Sequence, residues 1–179
     1  MITVAATTAA ERAEFVTFIP LAVLSVVTAI GMVTSRKAVY SALLLVVNFF
    51  CLAGFYVLLQ AQFLAAVQVI VYAGAIMVLF LFVLMLLGIG SQEVLSETIP
   101  GQRVIAGVLG VLLLAAVVVA VLNGGLSGGA GDLTAANQGG NTQAVGRLLF
   151  TRYVFAFEAT GILLVVAAVG ALVLGKRRP

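Results

Sequence analysis

The chain has 179 residues, of which 64% are hydrophobic and 8% are charged, with a formal net charge of +3. A soluble domain carries about 25% charged residues, so this composition excludes a soluble fold and predicts that lipid covers most of the surface. The few basic residues lie mostly in predicted loops, which argues against a nucleic-acid partner, and one cysteine with no histidine excludes an internal disulfide and a His- or Cys-rich metal site.

Five apolar segments predict an all-α membrane protein with five transmembrane helices, because about 20 apolar residues cross the hydrocarbon core of a bilayer. The segments cover residues 16–34, 38–59, 64–87, 104–122 and 154–174. Residues 1–15 are predicted to form an N-terminal tail. This tail lacks the basic n-region of a secretory signal, so we expect it to be kept.

The remaining organisation follows from composition and charge. Residues 16–122 hold the first four helices, 123–153 form a Gly-rich loop that ends in a short amphipathic segment, and 154–179 hold the fifth helix and a basic tail. The side that carries the C-terminus has six Lys or Arg residues and the other side has three. The positive-inside rule therefore predicts an outer N-terminus, an outer Gly-rich loop and a cytoplasmic C-terminus.

The third apolar segment keeps three unusual residues at membrane depth, namely Gln68, Tyr72 and Gly74. Gln68 and Tyr72 are spaced i, i+4, which predicts that they share one helix face. Their polar groups suit either a water-lined proton path or hydrogen bonds between helices. Gly74, between Ala73 and Ala75, allows close packing of helix backbones. It also weakens the local helix and makes this point a candidate for a π-bulge.

Two further polar residues lie inside predicted spans. Asn48 is expected to hydrogen-bond another helix, as a packing residue together with Ala73 and Ala75. Glu158 is the only acidic residue within a span and lies near its outer end. Its carboxylate suits either a proton relay or a boundary site wetted by headgroup water. No catalytic, cofactor-binding or metal-binding residue is predicted in this chain.

Residues 41–87, and within them QVIVYAGAIMVLFLFVLML at 68–86, closely resemble the J subunit of bacterial NADH–quinone oxidoreductase. That family is the counterpart of chain 6 of mitochondrial complex I. A second patch, GRLLFTRYVFAFEATGILLVVAAVGALVL at 146–174, is similar to the family's last helix with its Phe-Glu pair, here Phe157-Glu158.

The resemblance implies a subunit of the membrane arm that lies in a bacterial cell membrane and has no redox centre of its own. It also implies neighbours, namely the subunits A, H and K and the antiporter-like subunits within the lipid bilayer. NADH, FMN, iron–sulfur clusters and a quinone would be used in other subunits. The third helix of the family carries a π-bulge that is thought to switch while quinone reduction drives proton pumping, which maps onto Tyr72–Gly74.

The sequence departs from the family pattern at several positions. It has Ala156 where many members have proline, Gln62 where many have glutamate, and Lys37-Ala38-Val39-Tyr40 where many have an Asn-Pro-x-His turn. Since an amide cannot take up and release a proton as a carboxylate does, Gln62 leaves Glu158 as the outer acidic candidate. Two other interpretations stay open, a purely structural assembly subunit and a subunit of a related cation/proton antiporter complex.

Overall fold

The computed structural model describes residues 2–88, 101–123 and 139–176, with side chains from residue 14 onward except that of residue 103. The segment α1 is Ile2–Thr34 and α2 is Ala38–Leu58. The third helix has three parts: α3 (Gln62–Val67), a π-helical segment (Gln68–Ile76) and α4 (Met77–Leu87). It is followed by α5 (Gln102–Leu122), α6 (Asn141–Thr151) and α7 (Val154–Gly175).

The predicted all-α membrane architecture is confirmed. Within the described ranges, five helices are long and apolar enough to cross a bilayer, and their apolar parts lie close to the predicted bounds: Glu14–Thr34, Ala38–Leu58, Gln62–Leu87, Val104–Leu122 and Val154–Gly175. Most of their large apolar side chains are exposed. A surface of this kind suits lipid or neighbouring helices, as in a multi-pass membrane protein.

The segment predicted as an N-terminal tail, residues 1–15, is largely helical in the structure. Helix α1 begins at Ile2, so much of residues 1–15 continues the first span as helix. The stretch is rich in Ala and also holds Glu and Arg, which are good helix formers. Two predicted loops lie largely outside the described residues, 89–100 and 124–138. The predicted amphipathic segment corresponds to α6, which begins at Asn141.

The turn between α2 and the third helix is a Schellman motif. The N–H of Ala61 donates to Tyr56 O at 2.8 Å and the N–H of Gln60 donates to Val57 O at 3.0 Å. Gln60 adopts a left-handed φ of 58°, the conformation for which glycine is usually chosen. This tight reversal makes α2 and the third helix antiparallel neighbours.

Helix α2 lies between α1 and the third helix and contacts both. Small residues allow the approach of α1 and α2: a Cβ on Gly54 would lie 2.8 Å from Leu21 Cδ1, and one on Gly31 would lie 3.1 Å from Leu44 Cδ1. The buried residues are mostly small: Thr28, Ala42, Cys51, Ala53, Ala65, Gln68, Ala73 and Met77. Burial of Cys51 fits a small apolar side chain in a helix interface.

The chain divides into two compact units, residues 1–132 and 133–179. In the first unit, every described side chain of α5 is exposed. In the second unit, α6 joins α7 through Arg152 and Tyr153 alone, and the rings of Phe150 and Phe157 meet across this corner with centroids 5.0 Å apart.

Candidate functional site

The third helix contains the structural irregularity that its sequence predicts. Over Gln68–Ile76, nine residues, the backbone is π-helical rather than α-helical. At its end, the N–H of Met77 is bonded to Tyr72 O, five residues earlier. The prediction placed a single-turn π-bulge near Tyr72–Gly74; a bulge is confirmed there, and the π-helical segment extends further in both directions.

The π-helical segment shifts the buried face by one residue. The buried residues of the third helix are Ala65, Gln68, Ala73 and Met77, so the step from Gln68 to the next buried residue is five rather than four. Gln68 is 7% exposed, whereas Tyr72 is 46% exposed. The expectation that both share one face assumed α-helical geometry, and the i→i+5 hydrogen bonds of the segment replace Tyr72 by Ala73 at the buried position.

Gly74 occupies a crowded point of the segment backbone. A Cβ at this residue would lie 3.2 Å from the carbonyl oxygen of Val69, five residues earlier. That distance is tighter than ordinary van der Waals contact, so a larger residue would press against the widened turn. Of its two alanine neighbours, Ala73 is buried and Ala75 is exposed; Ala73 alone packs inside this chain.

Polar and aromatic groups of the π-helical segment face α2. Gln68 is 7% exposed, and within the described part of the chain its amide forms no hydrogen bond. The amide is not fully enclosed, because no fully buried side-chain nitrogen or oxygen among the described residues lacks a partner. The Tyr72 ring packs edge-to-face on Phe49 of α2, with centroids 5.9 Å apart and planes at 73°. Tyr72 therefore lies at the rim of the interface, with its body against α2 and part of its surface exposed.

Asn48, the residue before Phe49 in α2, forms its hydrogen bonds with α1. Its amide nitrogen lies 2.8 Å from Ser25 O, 3.2 Å from Ser25 Oγ and 3.1 Å from Thr28 Oγ1 of α1. Thr28 Oγ1 also donates to its own helix, at 2.8 Å from Leu24 O and 3.0 Å from Ser25 O. A single oxygen that donates within its helix and accepts across the interface ties α1 and α2 together.

Glu158 belongs to the second compact unit, residues 133–179. It is the fifth residue of α7, exposed, and it forms no ion pair within the described residues. The structure thus groups Gln68, Tyr72, Gly74 and Asn48 around α2. Within the second unit, Glu158 lies at the beginning of the fifth span.

Sequence reasoning missed three contributors to this site, namely Ser25, Thr28 and Phe49. The first two are hydroxyl residues spaced i, i+3 on an otherwise apolar span, a pattern that marks a polar stripe opposite Asn48. Phe49 gave no such signal. Among the described residues, no group of three or more His, Cys, Asp or Glu side chains could hold a metal ion. The described residues of the site therefore bring together a π-helical segment and a few hydrogen-bonding side chains.

Comparison with known proteins gives a consistent set of relatives. The family of NADH-ubiquinone/plastoquinone oxidoreductase chain 6 matches residues 28–174. NADH-quinone oxidoreductase subunit 10 of Thermus thermophilus is 45% identical over 142 residues, which cover 79% of this chain and 78% of that protein. Subunit J of Rhodobacter capsulatus is 34% identical, over 89% of this chain and 80% of its own. NAD(P)H-quinone oxidoreductase chain 6 of Synechocystis is 35% identical, over 94% and 83%.

Proposed function

Because this chain belongs to the NADH-ubiquinone/plastoquinone oxidoreductase chain 6 family, we propose that it is a membrane subunit of a proton-translocating NADH–quinone oxidoreductase. Its partners are the other subunits of that complex, including the neighbouring subunits A, H and K and the antiporter-like subunits. Electron transfer by NADH, FMN, iron–sulfur clusters and quinone takes place in those other subunits. The chain spans a bacterial cell membrane with its N-terminus outside and its C-terminus in the cytoplasm.

The role of the chain is to couple quinone reduction to proton movement, and the observation that carries this proposal is the π-helical segment Gln68–Ile76. A helix that gains or loses one residue of π-bulge turns one of its halves by about 100° relative to the other. Such a segment supplies the two discrete arrangements that a mechanical coupling element needs.

The two arrangements differ in which side chains are buried in the interface with α2. In the π-helical form, Ala73 and Met77 are buried, while Tyr72 is 46% and Ile76 is 49% exposed. With Gln68 held in place, an α-helical form would bring residues four and eight positions later to the same face, which are Tyr72 and Ile76. In the π-helical form the small Ala73 and the flexible Met77 are buried, and in the α-helical form the aromatic Tyr72 and the branched Ile76 would be buried instead. The two forms therefore have different contacts, so neighbouring helices can favour one form over the other.

The same turn changes the polar surroundings of the interface. In the π-helical form Gln68 is 7% exposed and its amide, which forms no hydrogen bond within the described residues, is not fully enclosed, while Tyr72 at the rim is 46% exposed. Moving the phenol inward would place a second hydrogen-bonding group beside the amide. We infer that this movement makes or breaks a chain of water molecules, with Glu158 as a separate proton-accepting group at the outer end of the fifth span.

The test is replacement of Gly74 by Val in the assembled complex. A Cβ at Gly74 lies 3.2 Å from Val69 O, and the branched side chain restricts χ1 further, so the variant disfavours the π-helical form. We expect a complex of normal composition whose quinone reduction and proton pumping fall several-fold. Ala75→Val is the matched control, since it makes a similar change at the next, exposed residue. A correctly assembled Gly74→Val complex with unchanged quinone reduction and unchanged proton pumping would refute the coupling role.

Tyr72→Phe separates coupling from assembly. The variant removes one hydroxyl and keeps the ring that packs on Phe49 at 5.9 Å. A coupling subunit carrying this change assembles and loses proton pumping, whereas a purely structural subunit assembles and keeps it. Sodium-dependent transport by the purified complex without NADH would instead favour a cation/proton antiporter complex.

A further inference from the structure

The corner between α6 and α7 is fixed by its own contacts. The N–H groups of Arg152 and Tyr153 both donate to Leu148 O, at 3.0 and 3.1 Å, and the N–H of Phe157 donates to Tyr153 O at 3.0 Å. The Phe150 and Phe157 rings pack across the corner at 5.0 Å with planes at 62°. The two connecting residues are therefore held at the apex, directly before the fifth span begins at Val154.

Two arginines and several apolar side chains are exposed together on this corner. Arg147 and Arg152 are exposed, and Leu148 (51%), Phe150 (63%) and Phe155 (84%) are exposed beside them. Residues 139–157 contain no acidic residue, and with Glu158 included the stretch still has two positive charges against one negative. Arginines interleaved with aromatic and aliphatic side chains at the end of a span are typical of the membrane interface.

We propose that this corner binds the phosphate group of an anionic phospholipid. Guanidinium groups form paired, charge-assisted hydrogen bonds with phosphate oxygens, and Arg147 and Arg152 are the two exposed guanidinium groups of this corner. The Arg152 guanidinium lies 5.9 Å from the centre of the Tyr153 ring, which restrains its position. Phe155 and Leu148 supply apolar surface for the acyl chains. This inference rests on the placement of α7 in a membrane and not on the coupling role.

A photo-crosslinkable phosphatidylglycerol tests the site in the intact complex, reconstituted in phosphatidylcholine nanodiscs. Crosslinks are mapped by mass spectrometry to the peptides around residues 148–160 and followed against the phosphatidylglycerol fraction. The Arg147→Gln/Arg152→Gln variant is expected to need about thirtyfold more phosphatidylglycerol for half-maximal labelling of these peptides, from the typical contribution of two basic residues at an anionic surface. Arg147→Lys/Arg152→Lys keeps the charge but loses the paired hydrogen bonds of the guanidinium groups, and is expected to recover only part of the labelling.

The matched control is Arg36→Gln/Lys37→Gln, which removes the same charge from the loop between α1 and α2. Labelling of the corner should be unchanged in this variant. Equal loss in both Gln variants would show a general charge effect and overturn the proposal, as would full labelling of the Arg147→Gln/Arg152→Gln complex. Loss of a neighbouring subunit from that complex with lipid labelling intact would assign the corner to a protein partner and also overturn it.

Discussion

Replacement of Asn48 by Leu tests the polar connection between α1 and α2. The Asn48 amide has two N–H donors and three oxygen contacts on α1 between 2.8 and 3.2 Å. Interhelical hydrogen bonds in membranes contribute about 0.6 kcal/mol on average and up to about 1.7. Two such bonds therefore predict that Asn48→Leu lowers the free energy of unfolding by about 1 kcal/mol, since Leu fills similar space without polar atoms.

The lone thiol of the chain supplies the assay. Cys51 is buried on the same helix as Asn48, at 1% exposure, so pulse labelling with N-ethylmaleimide across an SDS titration reports opening of the interfaces of α2. A double-mutant cycle with Thr28→Val should give a coupling of about 0.6 kcal/mol. Thr34→Val is the control, because its hydroxyl bonds its own helix at Ile30 O, 2.9 Å away. A coupling near zero would refute a hydrogen-bonded α1–α2 connection.

Three further outcomes are expected. Gln60 has a left-handed φ of 58°, which glycine adopts without strain, so Gln60→Gly should raise the free energy of unfolding by about 1 kcal/mol in the thiol assay. Gln60→Ala should not raise it, and equal effects of the two substitutions would contradict backbone strain at Gln60. Gly54→Ala places a Cβ 2.8 Å from Leu21 Cδ1 and should cost about 1–3 kcal/mol. Leu21→Ala should recover part of that cost, and Gly161→Ala, which has open space around it, should be neutral. Glu158→Gln should lower the proton-to-electron ratio of the complex severalfold while quinone binding stays normal; an unchanged ratio would reduce Glu158 to a boundary residue.

Much of the fold follows from the sequence because the bilayer imposes a simple rule on segment length. The predicted second span of 38–59 is observed as Ala38–Leu58, and the fourth of 104–122 as Val104–Leu122. The residues alone made Gly74 only a candidate for a π-bulge, because glycine weakens a helix, and the bulge itself was implied by the family resemblance. The first residue of α1 was harder to predict from the sequence, because hydropathy marks where lipid begins and not where a helix of Ala and Glu begins.

The candidate site was harder to predict than the spans. Periodicity arguments assume 3.6 residues per turn, and a π-helical segment breaks that assumption at the residues of interest, so Ala73 and not Tyr72 is buried with Gln68. The partners of Asn48 could not be identified because the pairing of spans is set by packing between helices. The spacing of Ser25 and Thr28 indicates a polar stripe on the first span, but only the structure shows that their side-chain oxygens lie within 3.2 Å of the Asn48 amide.

Density maps of the intact complex at rest and during NADH oxidation measure most directly whether the third helix has two states. At rest, Ala73 and Met77 should face α2 within a π-helical segment, as they do here. During turnover, a second class of particles should show an α-helical segment in which Tyr72 and Ile76, rather than Ala73 and Met77, are the buried residues. A pumping complex in which every class keeps the same π-helical segment and the same buried residues would contradict the proposed coupling.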